Sequence, residues 1–301
     1  MPQGKTADIG KSLDRGPREF KTHIRDKEGN VMLIAEKGVV TTHAMNSIKN
    51  VAKLMKEHDF RRIPVTDAGT GRLEGMAVAI DILDFLGGGE KYNIILKDYN
   101  GNFLSAINCP IEKIAAKAEF VDKKASIEDV VGIIMEKHTS AIPIVEDKEG
   151  KKVIAIVTER DVLPMAESFG VTIGEAMNKT HMVSSLGMMI SDVSKIMVRN
   201  RFRRLPVIQE DKVIGIITVF DILKFLGYGE FHGVNAEDVL SERVEKIMSK
   251  EVITVTKDQD LANVSKLVKE TGIGGFPVVE GDKLIGIITT SDVIKAIYGK
   301  E

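Results

Sequence analysis

Gly286-Ile287-Ile288-Thr289-Thr290-Ser291-Asp292 is an apolar run closing on a threonine and, three residues later, an aspartate; upstream it recurs as Gly215-Ile216-Ile217-Thr218-Val219-Phe220-Asp221. Working outward, each run follows a proline-bearing strand, Phe276-Pro277-Val278-Val279 or Leu205-Pro206-Val207. Each strand in turn follows a segment with apolar residues at helical spacing, Leu261, Val264 and Val268 or Ile190, Val193 and Met197. Two further copies stand nearer the start, with helices carrying Ile48, Val51, Ala52 and Met55, and Ile127, Val130, Val131 and Ile134. The prolines Pro64, Pro143, Pro206 and Pro277 precede Asp81, Asp161, Asp221 and Asp292 by 17, 18, 15 and 15 residues. The surplus in the first two copies falls in turns at residues 67–71 and 147–151, where added length is cheap. A fourfold internal repeat decides the fold class: α/β (α+β), each unit reading β-α-β-β-α with its last helix beginning near the aspartate.

A second order lies above the first. Phe60-Arg61-Arg62-Ile63-Pro64-Val65 returns as Phe202-Arg203-Arg204-Leu205-Pro206-Val207, and residues 81–87 return as 221–227 with one change among the seven. Copies one and three are thus closer to each other than to their neighbours, which implies two tandem pairs. The expected organisation is an N-terminal segment at 1–35, partly mobile, then repeats at 36–87, 111–168, 169–227 and 244–299. Connectors are expected at 88–110 and 228–243. Residues 88–110 are too apolar for a free linker, and a small strand or hairpin is expected there, paired with Val31-Met32-Leu33-Ile34.

The 301 residues, 43% apolar and 29% charged, can bury a sizeable core. Lys and Arg number 42 against 44 Asp and Glu, so the net charge of −2 gives no global pull toward a polyanion, and with 5% aromatics and no Trp a nucleic-acid surface is disfavoured. The single Cys109 can form neither an intramolecular disulfide nor a cysteine zinc site, which fits a reducing, cytoplasmic compartment. No run is apolar enough to span a bilayer or serve as a signal core. The six His lie apart, so no metal is expected. Gly4-Lys5-Thr6 lacks the earlier glycine of a phosphate loop, Gly272-Ile273-Gly274-Gly275 misses the dinucleotide fingerprint, and no nucleophile, base and acid group together as a catalytic set.

The Gly-x-Ile-Thr-x-x-Asp phrase behind a Pro-Val strand resembles the cystathionine-β-synthase (CBS) domain. Four copies without an attached enzyme are similar to archaeal relatives of the γ subunit of AMP-activated protein kinase. The resemblance implies repeats paired about pseudo-twofold axes into two modules forming a disc, with adenosine ligands in clefts between paired repeats. It implies that the aspartate accepts from ribose hydroxyls and that the threonine three residues earlier contacts ribose or phosphate. Position by position these are Thr158 and Asp161, Thr218 and Asp221, and Thr289 and Asp292. Copy one keeps Asp81 but has Val78 for the threonine, so its site is the one expected to stand empty. The competing reading of Thr-x-x-Asp is a helix capping box.

Arg61-Arg62 and Arg203-Arg204 occupy the position where such relatives hold phosphates, while copies two and four have Ser140-Ala141 and Gly274-Gly275. If paired repeats face each other, Arg61 and Arg62 serve the nucleotide held by Asp161, and Arg203 and Arg204 serve that held by Asp292. A guanidinium fork suits phosphate oxygens, each well-formed bond contributing about 1.5–3 kcal/mol. The competing reading is a pair of solvated surface charges. The adenine is placed by resemblance against the opening strands: Lys117, Phe120 and Val121; Thr180, Met182 and Val183; Lys250, Val252 and Ile253. The expected function is a non-catalytic regulatory or energy-sensing protein binding AMP, ADP or ATP, without a cofactor. It would act on an unidentified regulated protein, with a homodimer left open. The rivals are a module for S-adenosylmethionine or methylthioadenosine, and a scaffold binding protein or nucleic acid.

Overall fold

The computed structural model describes residues 30–179, 182–228 and 240–299. The expected mobile segment, all but its last residues, and most of the 228–243 connector lie outside the described residues.

Repeat one contains β1 (Glu36–Lys37), β2 (Thr42–His43), α1 (Ile48–Glu57), β3 (Arg62–Thr66), β4 (Leu73–Val78) and α2 (Ala79–Leu83), which runs on into a π-helical turn, Asp84–Gly88. The connector forms α3 (Tyr92–Asp98) and α4 (Phe103–Ile107). Repeat two follows with β5 (Val121–Asp122), α5 (Ile127–Lys137), β6 (Ala141–Val145) and β7 (Val153–Thr158). Repeat three contains α6 (Ile173–Ala176), α7 (Ile190–Asn200), β8 (Arg204–Gln209), β9 (Lys212–Thr218) and α8 (Val219–Tyr228). Repeat four closes with β10 (Val255–Thr256), α9 (Ala262–Thr271), β11 (Gly275–Glu280), β12 (Lys283–Thr289) and α10 (Thr290–Tyr298).

Two expectations are corrected. The connector is helical, because Tyr92, Ile95 and Tyr99 turn one face to the core and the Asn102 side chain caps α4 by accepting from Ser105 N. Its supposed partner, Val31-Met32-Leu33-Ile34, supplies a 3₁₀ turn (Asn30–Leu33) instead, and Val31 and Met32 lie buried in the core of repeats two and four. Repeat two also lacks its last helix. Asp161 is followed only by turns, since Pro164 brings no amide donor and biases Leu163 away from helical geometry.

Strand pairing joins repeats one to two and three to four. β1 crosses to β7, and Met76 bridges Ala116. In the second module the exchange is reciprocal: Asn178 bridges Ile287 and Ser249 bridges Ile216, while Lys212 pairs with Asp282 at 3.2 Å and Lys283 with Asp211 at 3.1 Å. The motif glycine permits this. A Cβ on Gly286 would lie 2.8 Å from Met177 Sδ and 2.9 Å from Asn178 O, and one on Gly215 would lie 2.7 Å from Met248 Sδ.

The apolar cores run the other way. One is built by repeats one and three with the connector, among them Ile48, Met55, Phe85, Ile95, Val193 and Ile222; the other by repeats two and four, among them Val130, Ile144, Phe276 and Val293. Gly88 allows the first to close, because a Cβ there would sit 2.5 Å from Val198 Cγ2 of α7. Hydrogen-bonded strands thus hold each module together, and side-chain packing binds the two modules into one body.

Candidate functional site

Each strand ending in Thr-x-x-Asp folds its aspartate back onto the threonine. Asp161 Oδ2 accepts from Thr158 N at 2.7 Å and Thr158 Oγ1 at 2.8 Å; Asp221 Oδ2 accepts from Thr218 at 2.8 and 2.7 Å; Asp292 Oδ2 accepts from Thr289 at 2.8 and 2.6 Å. This is the capping arrangement, and in repeat two it persists where no helix follows, so a cap is not its sole use. In each case Oδ2 is engaged, while no hydrogen bond among the described residues reaches Oδ1. Burial pushes the Asp221 and Asp292 carboxyls up from their ordinary range, against the lowering effect of the threonine bonds.

The guanidinium groups gather at the centre, where the four repeats meet. Arg61, Arg62, Arg203 and Arg204 all line two cavities, of about 720 and 420 Å³. Burial, followed by the repulsion of Arg203, pushes Arg61 and Arg62 down to about 10. Burial, with Arg61 and Arg203 beside it, pushes Arg204 down to about 9. They keep partial solvent contact only through the grooves. Carboxylates are scarce there. Arg203 reaches Glu159 at 3.3 Å, and Glu159, 7% exposed, also accepts from Ser291 at 2.6 Å. Arg204 donates to Gly275 O at 2.7 Å, and its NH1 stands 2.8 Å from where a Cβ on Gly275 would be. Arg61 stacks on Phe220 at 5.4 Å, and no ion pair to Arg61 or Arg62 is found among the described residues.

Three clefts open onto this centre. The 420 Å³ cavity joins Thr158 and Asp161 to Arg61 and Arg62, with Ser140 and Ala141 between them. A cavity of about 220 Å³ joins Thr289, Asp292 and Met182 to Arg203, Arg204 and Gly274. The 720 Å³ cavity borders Val78, Asp81 and Lys117. There Asp81, 3% exposed, is already taken: its Oδ1 meets Lys91 Nζ at 2.9 Å and Arg201 NH1 at 3.1 Å.

The remaining residues scatter. Thr218 lines the 720 Å³ cavity, whereas Asp221 turns into a groove of about 270 Å³ between α1 and α8, beside Lys49, Lys53 and Lys224 and away from the arginines. Val121 is buried core, and Phe120 packs beneath Lys151 Nζ at 5.0 Å. Val183, Lys250, Val252 and Ile253 are not walls of the three central cavities, and Thr180 lies outside the described residues. Sequence reading missed residues 36–40, the opening segment facing Asp161, because Glu36-Lys37-Gly38 hides a strand of two residues. It also missed Arg160, which donates to Gly272 O across the modules, and Lys91, Glu159, Arg201 and Ser291. Only Arg201 left a signal, since it replaces Asp59 in the otherwise matched Phe-Arg-Arg phrase.

The sequence model of the CBS domain matches residues 31–88, 111–166, 173–228 and 244–299. An uncharacterised protein of Methanocaldococcus jannaschii, MJ1225, is 34% identical over 275 residues, which are 88% of this chain and 98% of that one. The crystal structure of that protein, proposed as an archaeal homologue of γ-AMPK, superposes with a TM-score of 0.83. A second relative, an uncharacterised 33.4 kDa protein of Thermofilum pendens, is 28% identical over 82% of this chain and 84% of its own. A conserved protein of Pyrococcus horikoshii shares the fold at 18% identity, with 88% of this chain and 97% of that chain covered and a TM-score of 0.56. With four domain matches spread over most of its length and the reciprocal strand exchange between repeats, this chain belongs to the CBS-domain family, as two tandem modules of two repeats each.

Proposed function

We propose that the chain is a non-catalytic regulatory protein that binds adenine nucleotides, AMP, ADP or ATP, in the clefts of Asp161 and Asp292. One observation supports this reading: half-buried arginines from repeats one and three, poorly matched by carboxylates, sit where two clefts converge, each with an aspartate oxygen open at its outer end. A carboxylate accepts from a ribose diol, an apolar slot takes the base, and guanidinium groups neutralise the phosphate. For the Asp161 cleft the slot is lined by Val39, Val40 and Ile156; for the Asp292 cleft, by Met182 and Ile287.

The same observation favours a phosphate-bearing ligand over S-adenosylmethionine or methylthioadenosine, which would leave the arginines uncompensated. Ligand binding at the repeat interfaces would favour one arrangement of the repeats, and a regulated protein would read that arrangement in the cytoplasm. Titration calorimetry with AMP, ADP, ATP and methylthioadenosine tests the assignment. The three nucleotides should bind and methylthioadenosine should bind at least tenfold more weakly; equal affinity for methylthioadenosine would transfer the site to that class.

A further inference from the structure

The cleft of repeat one differs from the other two in both halves of its chemistry. Its carboxylate is sealed. Asp81 Oδ1 already receives Lys91 Nζ from the connector and Arg201 NH1 from repeat three. Lys91 is itself fixed, its Nζ also donating to Ile114 O at 3.0 Å and its backbone N to Asp84 Oδ1 at 2.8 Å. Val78 brings no hydroxyl. A ribose entering here would have to break two ion pairs around a nearly inaccessible carboxylate, a far costlier exchange than filling the open Oδ1 of Asp161.

The cavity this cleft opens into is roomy and strongly cationic. At about 720 Å³ it exceeds the Asp161 and Asp292 cavities, of about 420 and 220 Å³. Besides the four central arginines its walls carry Arg201, Lys117, Lys137 and His138, and Thr139 stands just before β6, its hydroxyl donating to Ala141 O at 3.2 Å. Lys137 pairs with Glu136 at 2.6 Å on the exposed end of α5, and Glu119 and the sealed Asp81 are the acids on the walls. Positive charge therefore exceeds negative by several groups, and it is spread along the cleft instead of focused at one point. A chain of phosphates offers such a set of cations more charge-assisted bonds than a single phosphate does.

We propose that the first cleft is an anion site without nucleoside recognition, which takes a condensed phosphate, pyrophosphate or longer, with Lys117 and Lys137 as its outer cations and Lys91 and Arg201 excluding ribose. The exclusion of nucleoside rests on the cleft reading given under the proposed function; the anion site itself does not. Its phosphate chain has two sources, free inorganic pyrophosphate or the outer phosphates of a nucleoside triphosphate held at Asp161, since the two cavities share Arg61, Arg62, Arg203 and Arg204.

The test is calorimetry of the full chain with sodium pyrophosphate, alone and after saturation with AMP. Binding of one equivalent should survive AMP saturation. Lys137→Ala, outside the packed core and apart from the Asp161 and Asp292 cavities, should weaken it at least threefold while AMP affinity stays within twofold, and adding Lys117→Ala should deepen the loss of pyrophosphate to at least tenfold. ATP in place of AMP separates the sources: loss of the pyrophosphate heat marks the triphosphate tail as an occupant, and its retention marks free pyrophosphate. Absence of pyrophosphate binding, its one-for-one displacement by AMP, or an unchanged affinity in the double variant overturns the proposal. If AMP does not bind at all, the nucleotide reading fails, and pyrophosphate binding sensitive to the two lysines still upholds the anion site.

Discussion

Replacing Arg204 by Met should make the empty protein more stable and the nucleotide complex weaker. Its burial holds the guanidinium at about 9, beside Arg61 and Arg203. Because this value lies below that of the unfolded chain, the penalty on the cation is fully present at neutral pH and fades only as pH rises through about 9 and beyond. At about 1.4 kcal/mol per pH unit the depression corresponds to roughly 4–5 kcal/mol, and relaxation with water in the groove reduces this to about half. Arg204→Met keeps most of the stem's volume and removes the charge. It also loses the bond to Gly275 O, worth about 1 kcal/mol. A net gain of about 1–2 kcal/mol remains, or roughly 2–5 °C in Tm for a chain of this size. Affinity moves the other way, since a lost charge-assisted bond of about 1.5–3 kcal/mol weakens AMP roughly 10- to 150-fold at the Asp292 cleft. Scanning fluorimetry without ligand and calorimetry with AMP measure the two arms. A variant with a lower Tm and unchanged AMP affinity would refute the reasoning, because the guanidinium would then be a structural tie and not a stored anion site.

Further expectations follow from the other walls of the clefts. Asp292→Asn should keep an acceptor for Thr289 yet lose AMP affinity about tenfold at its cleft, with inorganic phosphate binding unchanged; equal losses for both ligands would contradict the ribose role. Since burial raises the Asp292 carboxyl, it protonates on acidification before an ordinary aspartate does; AMP affinity should fall in that window in the native chain and run flatter in Asp292→Asn. Gly286→Val should destabilise the fold by about 2–4 kcal/mol, because its side chain would invade Met177 and the backbone of Asn178; an unchanged melting temperature would show that the strand exchange is looser than described.

The repeat architecture is legible because four copies of one phrase carry the same proline and aspartate, three of them the same glycine, and periodicity places the helices of each copy. The arginine pairs and their partner clefts could also be read, since Ser140-Ala141 and Gly274-Gly275 announce the space opposite them. What escaped were features made by contact across repeats. Lys91 looks like an ordinary charge in a connector, and only folding brings it to Asp81. Glu36 and Lys37 pair with β7 from more than a hundred residues away, which no local pattern records. Val121 reads as a ligand contact but lies in the core, because core strands and cleft walls share the same β-branched vocabulary. Pro164 was a visible signal against a helix in repeat two, and the repeat pattern outweighed it.

The crossing of strands and apolar cores has a consequence for any attempt to divide the molecule. Cutting after repeat two would sever no strand pair of either module, yet it would strip α2 from α7 and α5 from α10, baring one flank of each half to water. Residues 1–168 and 169–301, expressed separately, should therefore aggregate or self-associate, and coexpression should restore a one-to-one heterodimer that melts in a single transition. Such a protein behaves as two halves that are each other's obligatory chaperone.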